Sequence, residues 1–303
     1  MGCALSNVPL SSDDSDELFV RDAYIDVLRR VPDPDGAGYF VGLLADGVSR
    51  AEVRAQLEAS DEALSPDILD RTFSGEMVND RRNSSYDDMT AAVIARALRP
   101  DSVAVDVGAH VGDVLAQIVA AAPDAAHFAV EPIPELAAIL RRRFPMVSVH
   151  EVALSETKGS STFQHVTTNP AYSGLRRRRY DRDDEMITEI TVATERLDAI
   201  VGDADVAFVK IDVEGAEMHV LRGATGLLER CRPIIVFEHG LGAADHYGSG
   251  PDDVWGLLEP FGYSVSLLEQ WLQGGLSLTR DEFVNEFETN KNYYFIAHAD
   301  DRP

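Results

Sequence analysis

Four short stretches gather the side chains able to do chemistry. Asp106-Val107-Gly108-Ala109-His110-Val111-Gly112-Asp113 sets two glycines and an imidazole between two carboxylates. Glycines let the backbone approach a ligand, and a helix opening there offers free N–H groups. Glu131-Pro132 follows 25 residues after Asp106. A carboxylate at the end of the next strand can accept both hydroxyls of a ribose diol. Lys210-Ile211-Asp212-Val213-Glu214-Gly215-Ala216-Glu217 carries a lysine and three acids. Strand alternation sends Lys210 and Asp212 to one face, and such charge density is costly unless it serves a site. A salt-bridged helix start is the plain alternative. Phe237-Glu238-His239-Gly240 ends a neighbouring strand in an acid–imidazole pair.

Two nucleotide readings compete at the first stretch. A dinucleotide loop needs glycine where His110 stands, and Asp106 repels a pyrophosphate. A cofactor with an amino-acid tail and a sulfonium cation suits Asp106 better, which points to S-adenosylmethionine, leaving as S-adenosylhomocysteine. A nicotinamide-dependent oxidoreductase is the rival enzyme, and a non-catalytic nucleoside-binding scaffold the rival non-enzyme. Methyl transfer to a hydroxyl needs in-line positioning and a base, the latter worth about 10²–10⁴-fold. His239 is the candidate base, because neutral imidazole is available near pH 7. Lys210, Asp212 and Glu214 are candidates to orient it or the acceptor. In a metal-dependent variant Asp212, Glu238 and His239 would hold Mg²⁺ and lower the acceptor pKa.

A turn-rich loop, Asn169-Pro170-Ala171-Tyr172-Ser173-Gly174, precedes Arg176–Arg179. Tyr172 suits stacking on a sugar ring, with Ser173, Arg176 and Glu238 on the acceptor side. The arginines either meet an anionic group on the acceptor or neutralise Asp181, Asp183, Asp184 and Glu185. Met186, Met218 and the pair Tyr293-Tyr294 read as core. Trp255 and Trp271 either frame the acceptor mouth or pack a carboxyl-terminal helix.

The elements that must position these groups alternate. Val103–Val107, 127–130, 147–152, 206–211, 234–237, 263–267 and 293–297 read as strands. Helices are expected to Ala121 after the first strand, then over 135–143, 216–230 and 252–260, and 160–193 reads as an inserted hairpin. Short apolar strands between amphipathic helices imply a mainly parallel sheet covered on both faces. Residues 1–80 differ. Leu18, Ile25 and Leu28 recur at helical spacing, and a second helix carries Tyr39, Phe40, Leu43 and Leu44 as far as Gly47. Ser49-Arg50-Ala51-Glu52 is a capping box flanked by Val48 and Val53. The expected organisation is an acidic helical module over 1–80 and a cofactor-binding domain over 81–303.

The 303 residues include 27 basic and 52 acidic side chains, a net charge of −25. Such a surface repels phosphate backbones and anionic lipid, so neither a nucleic acid nor a membrane is an expected partner. No run of 18 apolar residues is present and no secretory signal is visible. Cys3 and Cys231 form no disulfide framework, which fits a reducing cytoplasm. Met1-Gly2-Cys3-Ala4-Leu5-Ser6 matches a myristoylation pattern, but the composition looks bacterial and the pattern is set aside. Asp33-Pro34-Asp35-Gly36 is not a calcium loop, because Leu44 stands where a bidentate Glu is needed.

The combination of Asp106–Gly112, Glu131-Pro132, Ala153-Leu154-Ser155, Leu197-Asp198, Lys210–Glu217 and Arg232-Pro233 resembles the FkbM-type methyltransferases from about Ala97 to Glu238, more weakly to Ala297. The resemblance implies an α/β, Rossmann-like class I methyltransferase sheet of seven strands, the last antiparallel. It implies S-adenosylmethionine held by Asp106, Gly108, Ala109, His110, Gly112, Asp113, Glu131, Pro132, Ala153, Leu154 and Asp212. It also implies O-methylation of a saccharide, a polyketide or another specialised metabolite. The family usually has Asn where His110 stands; both side chains can donate one hydrogen bond. Phe19 to about Glu62 resembles a small helical domain of unknown function in bacterial glycan-associated proteins. The expected protein is a cytoplasmic O-methyltransferase with a small-molecule or saccharide acceptor, and a homo-oligomer is compatible with it.

Overall fold

The computed structural model describes residues 16, 19–20, 23–24, 27, 32, 34–60, 76–178 and 185–299. The chain divides into two compact units, Met1–Arg81 and Arg82–Pro303. In the first, α1 (Pro34–Ala45) and α2 (Arg50–Glu58) follow a helical stretch in which Val20, Ala23 and Tyr24 are buried. Leu18, Ile25 and Leu28 lie outside the described residues, as do Cys3 and Asp33. Phe40, Val53 and Leu57 complete this core, whereas Tyr39 is 60% exposed. The capping box is present: Glu52 N–H donates to Ser49 Oγ at 3.3 Å, and Ser49 N–H to Glu52 Oε2 at 2.9 Å. It starts α2 and turns Val53 inward.

The second unit takes in most of α3 (Glu76–Ala97), a long helix the apolar pattern did not disclose. Then β1 (Val103–Val107), α4 (Asp113–Ala121), β2 (Phe128–Val130), α5 (Pro134–Arg143) and β3 (Ser148–His150) alternate. A side sheet follows from β4 (Ala153–Leu154), β5 (Gly159–Val166) and β6 (Ile187–Glu195), the last two forming the antiparallel hairpin. The main sheet resumes with α6 (Leu197–Val201), β7 (Val206–Ile211), α7 (Glu217–Arg222), α8 (Thr225–Cys231) and β8 (Ile234–Glu238). It closes with α9 (Pro251–Leu258), β9 (Tyr263–Ser266), α10 (Leu268–Gln273), α11 (Arg280–Glu288) and β10 (Tyr294–Ala299). The order is β3-β2-β1-β7-β8-β10-β9, parallel throughout except that β10 runs antiparallel to both neighbours. This is the class I methyltransferase-like α/β fold. Among the described residues no helix is long and apolar enough to cross a membrane.

Alternation along the central strands decides everything that follows. Val105, Val107, Val209, Ile211, Ile235, Phe237 and Phe295 pack into one core layer, with α7, α8, α9 and α11. Ala104, Phe208, Val236 and Ile296 pack into the other, with Val93 and Ile94 of α3 and Ile118 of α4. Period two then sends Asp106, Lys210, Glu238 and Tyr294 toward the α3 layer. Register sets Asp106 beside Lys210 and Glu238 beside Tyr294.

The helix expected over 216–230 is two helices. A Cβ on Gly223 would stand 2.4 Å from the Ser155 carbonyl, and Asp198 accepts Gly226 and Leu227 N–H at 3.1 and 2.8 Å to cap α8. The motifs Ser155 and Leu197-Asp198 therefore hold this break. Met218 is core, but Met186 is 62% exposed on the hairpin, contrary to expectation. Trp255 packs against Phe283, and Trp271 lies under the Arg96 guanidinium; neither lines the cavity described next.

Candidate functional site

Beyond the carboxyl ends of β1, β2 and β7 lies a cavity of about 360 Å³. That is within the range of small-molecule sites, roughly 300–1,000 Å³. Asp106, Gly108, Ala109, His110, Asp113, Glu131, Pro132, Ala153, Leu154, Lys210, Asp212, Glu214 and Ser173 all line it. So do two groups that the sequence did not single out, Asp87 on α3 and Phe163 on β5.

The loop after β1 is pinned from both sides. Gly108 and Ala109 N–H donate to the Val130 carbonyl at 2.9 and 3.1 Å. Gly108 has φ +74°, and a Cβ there would stand 1.8 Å from the Asp212 carbonyl, so only glycine fits. Gly112 does not line the cavity. It turns the chain into α4 at φ +91°, against Leu140 and Phe144. Glu131 accepts His110 N–H on one oxygen and Ile133 N–H on the other, each at 2.9 Å. A carboxylate has about four acceptor sites, so two remain for a ligand's hydroxyls. Burial pushes the Glu131 carboxyl up to about 7, against those two amides. Burial likewise lowers the His110 imidazole, helped by the Lys210 charge.

Asp106 is the outlier. It is 1% exposed, and among the described residues no hydrogen bond of ordinary geometry reaches either oxygen, although the Leu115 amide lends some polarity. Burial pushes its carboxyl up to about 6, partly opposed by Lys210. A carboxylate left bare in a cavity wall fits a cationic ligand group.

At the end of β7 the charges are tightly matched. Lys210 Nζ stands 3.2 Å from Asp212 Oδ2 and donates to the Gly108 carbonyl at 3.5 Å. Burial opposes its charge, but Asp212, Asp106 and Glu238 outweigh it and raise the ammonium pKa. Tyr294 Oη donates to Asp212 Oδ2 at 2.6 Å, so this tyrosine belongs to the site and not simply to the core. Burial alone would raise Asp212; Lys210, with hydrogen bonds from Glu238 and Tyr294, holds it down at about 2. Glu238 goes the other way, raised well above the carboxylate range by burial and by Asp212, and so carries the proton between them. Tyr294 is stacked on Tyr86 of α3, which also makes an edge contact with Tyr293.

His239 is not in the cavity. It lies one residue beyond Glu238 and thus on the opposite layer, stacked on Phe287 of α11 with a ring separation of 4.9 Å and fully buried. Among the described residues its ring nitrogens have no hydrogen-bond partner; Nδ1 stands 4.0 Å from Glu217 Oε2. Glu217 accepts Gly215 N–H at 2.9 Å and so fixes the turn after β7. The alternation of Phe237 and Glu238 between the two layers was the signal that places His239 on the side away from this cavity. The set Asp212, Glu238 and His239 is therefore not assembled. Asp212, Glu214 and Glu238 bring oxygens within 4.8 Å of one another instead, with Lys210, Tyr294 and Arg178 already upon them.

The loop after β5 closes the far wall with Pro170, Ala171, Ser173 and Leu175. Gly174 pairs with Gln164 in both directions, and Ser173 Oγ accepts Val166 N–H at 3.0 Å. Arg176 is tied outward: its N–H donates to Tyr247 Oη at 2.9 Å and its guanidinium to the His246 carbonyl at 3.0 Å. Arg178 pairs with Glu214 and covers the Tyr172 ring at 5.1 Å. Neither Tyr172 nor Arg176 lines the cavity, nor does Glu238. Arg179, Asp181, Asp183 and Asp184 lie outside the described residues.

The sequence profile of the methyltransferase FkbM domain matches residues 106–265, and that of DUF4214, a domain of unknown function, matches 6–65. The chain is 29% identical over 217 residues to the AMB antimetabolite synthetase AmbE of Pseudomonas aeruginosa. That match takes in 59% of this chain and 10% of the relative, so the chain spans about a tenth of its length. Among solved structures, the methyltransferase FkbM of Methylobacillus flagellatus superimposes on 91% of this chain and 58% of its own, at 16% identity and TM-score 0.43. A TehB-like SAM-dependent methyltransferase of Corynebacterium glutamicum covers 73% of this chain and 94% of its own, at 12% identity and TM-score 0.36. The FkbM profile takes in more than half of the residues, with the whole β1 loop, Glu131 and the β7 turn inside it; the chain belongs to the FkbM methyltransferase family.

Proposed function

We propose that this chain is an S-adenosylmethionine-dependent O-methyltransferase acting on a hydroxyl of a saccharide or another specialised metabolite. The observation that carries the cofactor is the bare, buried Asp106 carboxylate beside Glu131 on the next strand, over one cavity. Glu131 holds the ribose through its free acceptor sites while bracing the loop. Val152, Ala153, Leu154 and Ile133 give the apolar wall for the adenine, and Asp106 meets the amino-acid end. When bound, the cofactor supplies a methyl group already activated on sulfur.

The chain's own contribution is to place an acceptor oxygen and to relieve it of its proton. With His239 on the opposite layer, that task falls to Glu214, which lines the cavity beyond β7, while Asp212, held down at about 2 by Lys210 and Tyr294, helps to orient the acceptor. Lys210, held as an ammonium, orients and does not abstract. The wall from Pro170 to Leu175 excludes water and fits an acceptor with an apolar face, as a sugar ring or polyketide has. The Pseudomonas relative is an antimetabolite synthetase, which agrees with a specialised metabolite as acceptor. No Mg²⁺ is needed to balance the acidic cluster: Lys210 and Arg178 offset Asp212 and Glu214, and Glu238 holds a proton.

Calorimetric titration with S-adenosylhomocysteine tests the reading. Wild type binds it and ignores NADH, Asp106→Ala abolishes binding, and Glu131→Ala does the same with a loss of thermal stability. Unchanged affinity in both variants removes the assignment.

A further inference from the structure

The polar ends of the central strands all face the α3 layer, and α3 brings a carboxylate of its own. Asp87 follows Tyr86, which stacks on Tyr294 at 4.9 Å, and Asp87 lines the same cavity as Asp106. Among the described residues it makes no hydrogen bond or ion pair. The charges it faces are Lys210, Asp212 and Asp113, with Asp88 on its own helix. Those cavity groups gather around the ends of β1 and β7, whereas Glu131 follows β2. That region therefore carries Asp87, Asp106 and Asp212 against Lys210, while Asp113 has the Arg143 guanidinium 4.0 Å away. Lys210 is already engaged by Asp212 and the Gly108 carbonyl. A surplus of negative charge in which one member, Asp106, is 1% exposed with no well-formed hydrogen bond among the described residues asks for a cation brought by the ligand.

On the cofactor reading given above, the ribose lies at Glu131, so the amino-acid tail lies at β1 and β7. We propose that Asp87 is a cofactor-binding residue, closing over the α-ammonium of the methionine tail from the α3 side while Asp106 holds it from the sheet. The sheet then supplies the buried half of the clamp and the helix its exposed half. Such a division lets the tail enter past Asp87 before it meets Asp106.

The test is calorimetry on the full chain with three ligands. S-adenosylmethionine and S-adenosylhomocysteine both carry the α-ammonium; 5′-methylthioadenosine keeps the nucleoside thioether and lacks the amino acid. Asp87→Asn is expected to weaken the first two alike, by about fivefold, as for a partly solvated ion pair. Methylthioadenosine should bind the variant as it binds wild type. Asp88→Asn, the same charge change one residue away and outside the cavity lining, should leave all three affinities unchanged; Asp87→Glu should recover part of the loss. The assignment is overturned by undiminished affinity in Asp87→Asn, by an equal loss for methylthioadenosine, by a loss confined to S-adenosylmethionine, or by an equal effect of Asp88→Asn. Each of those results leaves the cofactor reading standing. Failure of wild type to bind any of the three ligands removes that reading, and Asp87 with it.

Discussion

The two walls of the cavity are built differently. The wall we assign to the cofactor is made by strand ends and the turns that follow them at once: Asp106 to Asp113 at the end of β1, Glu131 to Ile133 after β2. Its hydrogen bonds run to backbone, and its glycine is forced by a carbonyl. The wall we assign to the acceptor is assembled from distant pieces, a loop of the β5–β6 hairpin and Glu214 after β7, with Tyr247 between β8 and α9 bracing it from behind. Backbone pairing of Gly174 with Gln164 anchors its loop, and side-chain contacts through Tyr247 and Arg178 join the pieces. A local wall fixes one ligand geometry; a composite wall can change with its acceptor while the fold stays intact.

The sharpest way to break the first wall is Gly108→Ala. The added carbon meets the Asp212 carbonyl, and the residue must also keep φ +74°. The expected cost is roughly 3 kcal/mol or more, about 10 °C in melting temperature, with S-adenosylhomocysteine binding lost. Gly262→Ala separates crowding from backbone strain, since φ is +78° there with nothing within 4 Å. It should cost only about 1 kcal/mol and leave binding intact. Equal melting losses in the two variants would deny that the carbonyl matters.

Acidity sharpens the comparison, because the raised carboxyls belong to the cofactor wall. Asp106 stands at about 6 and Glu131 at about 7, both lifted chiefly by burial above ordinary values of 3.8 and 4.5. The unliganded protein therefore keeps the stability of the neutral acids below about pH 4 and loses it as pH rises through 6 to 7. A cationic ligand group has the opposite preference, since it needs the carboxylate. Affinity for S-adenosylhomocysteine should rise between pH 5 and 7, by up to about tenfold per unit below the Asp106 value, then level off. Asp106→Asn should flatten that part of the profile; a profile flat in wild type would contradict the pairing of Asp106 with an ammonium.

The contrast between the walls also explains what was legible. The bounds of β1 and β7 came directly from Val103–Val107 and Val206–Ile211, because a strand buried on both faces is a continuous apolar run. The β1 loop was legible because its ligand-facing groups are neighbours in sequence. Tyr294 on Asp212, Arg178 on Glu214 and Asp87 on the cavity were not, since each joins elements far apart in the chain. α3 escaped because its apolar face is short and its polar residues are many. His239 misled for a different reason: its type suits a base, but its parity places it with Phe237, among Phe283 and Phe287.

The mildest probe loosens the acceptor wall and leaves the other untouched. Tyr247→Phe keeps the ring against Gly215 and under the Arg176 guanidinium, while removing the oxygen that accepts Arg176 N–H. One hydrogen bond is worth about 1 kcal/mol. Opening of the 174–178 segment should then be about fivefold more frequent, read as faster trypsin cleavage within Arg176–Arg178 and faster amide exchange at Arg176. Affinity for S-adenosylhomocysteine should not move, because no cofactor-side group touches Tyr247. Were the two walls one cooperative unit, cleavage and cofactor affinity would shift together, and the bound cofactor would protect the arginines in the variant as well as in wild type.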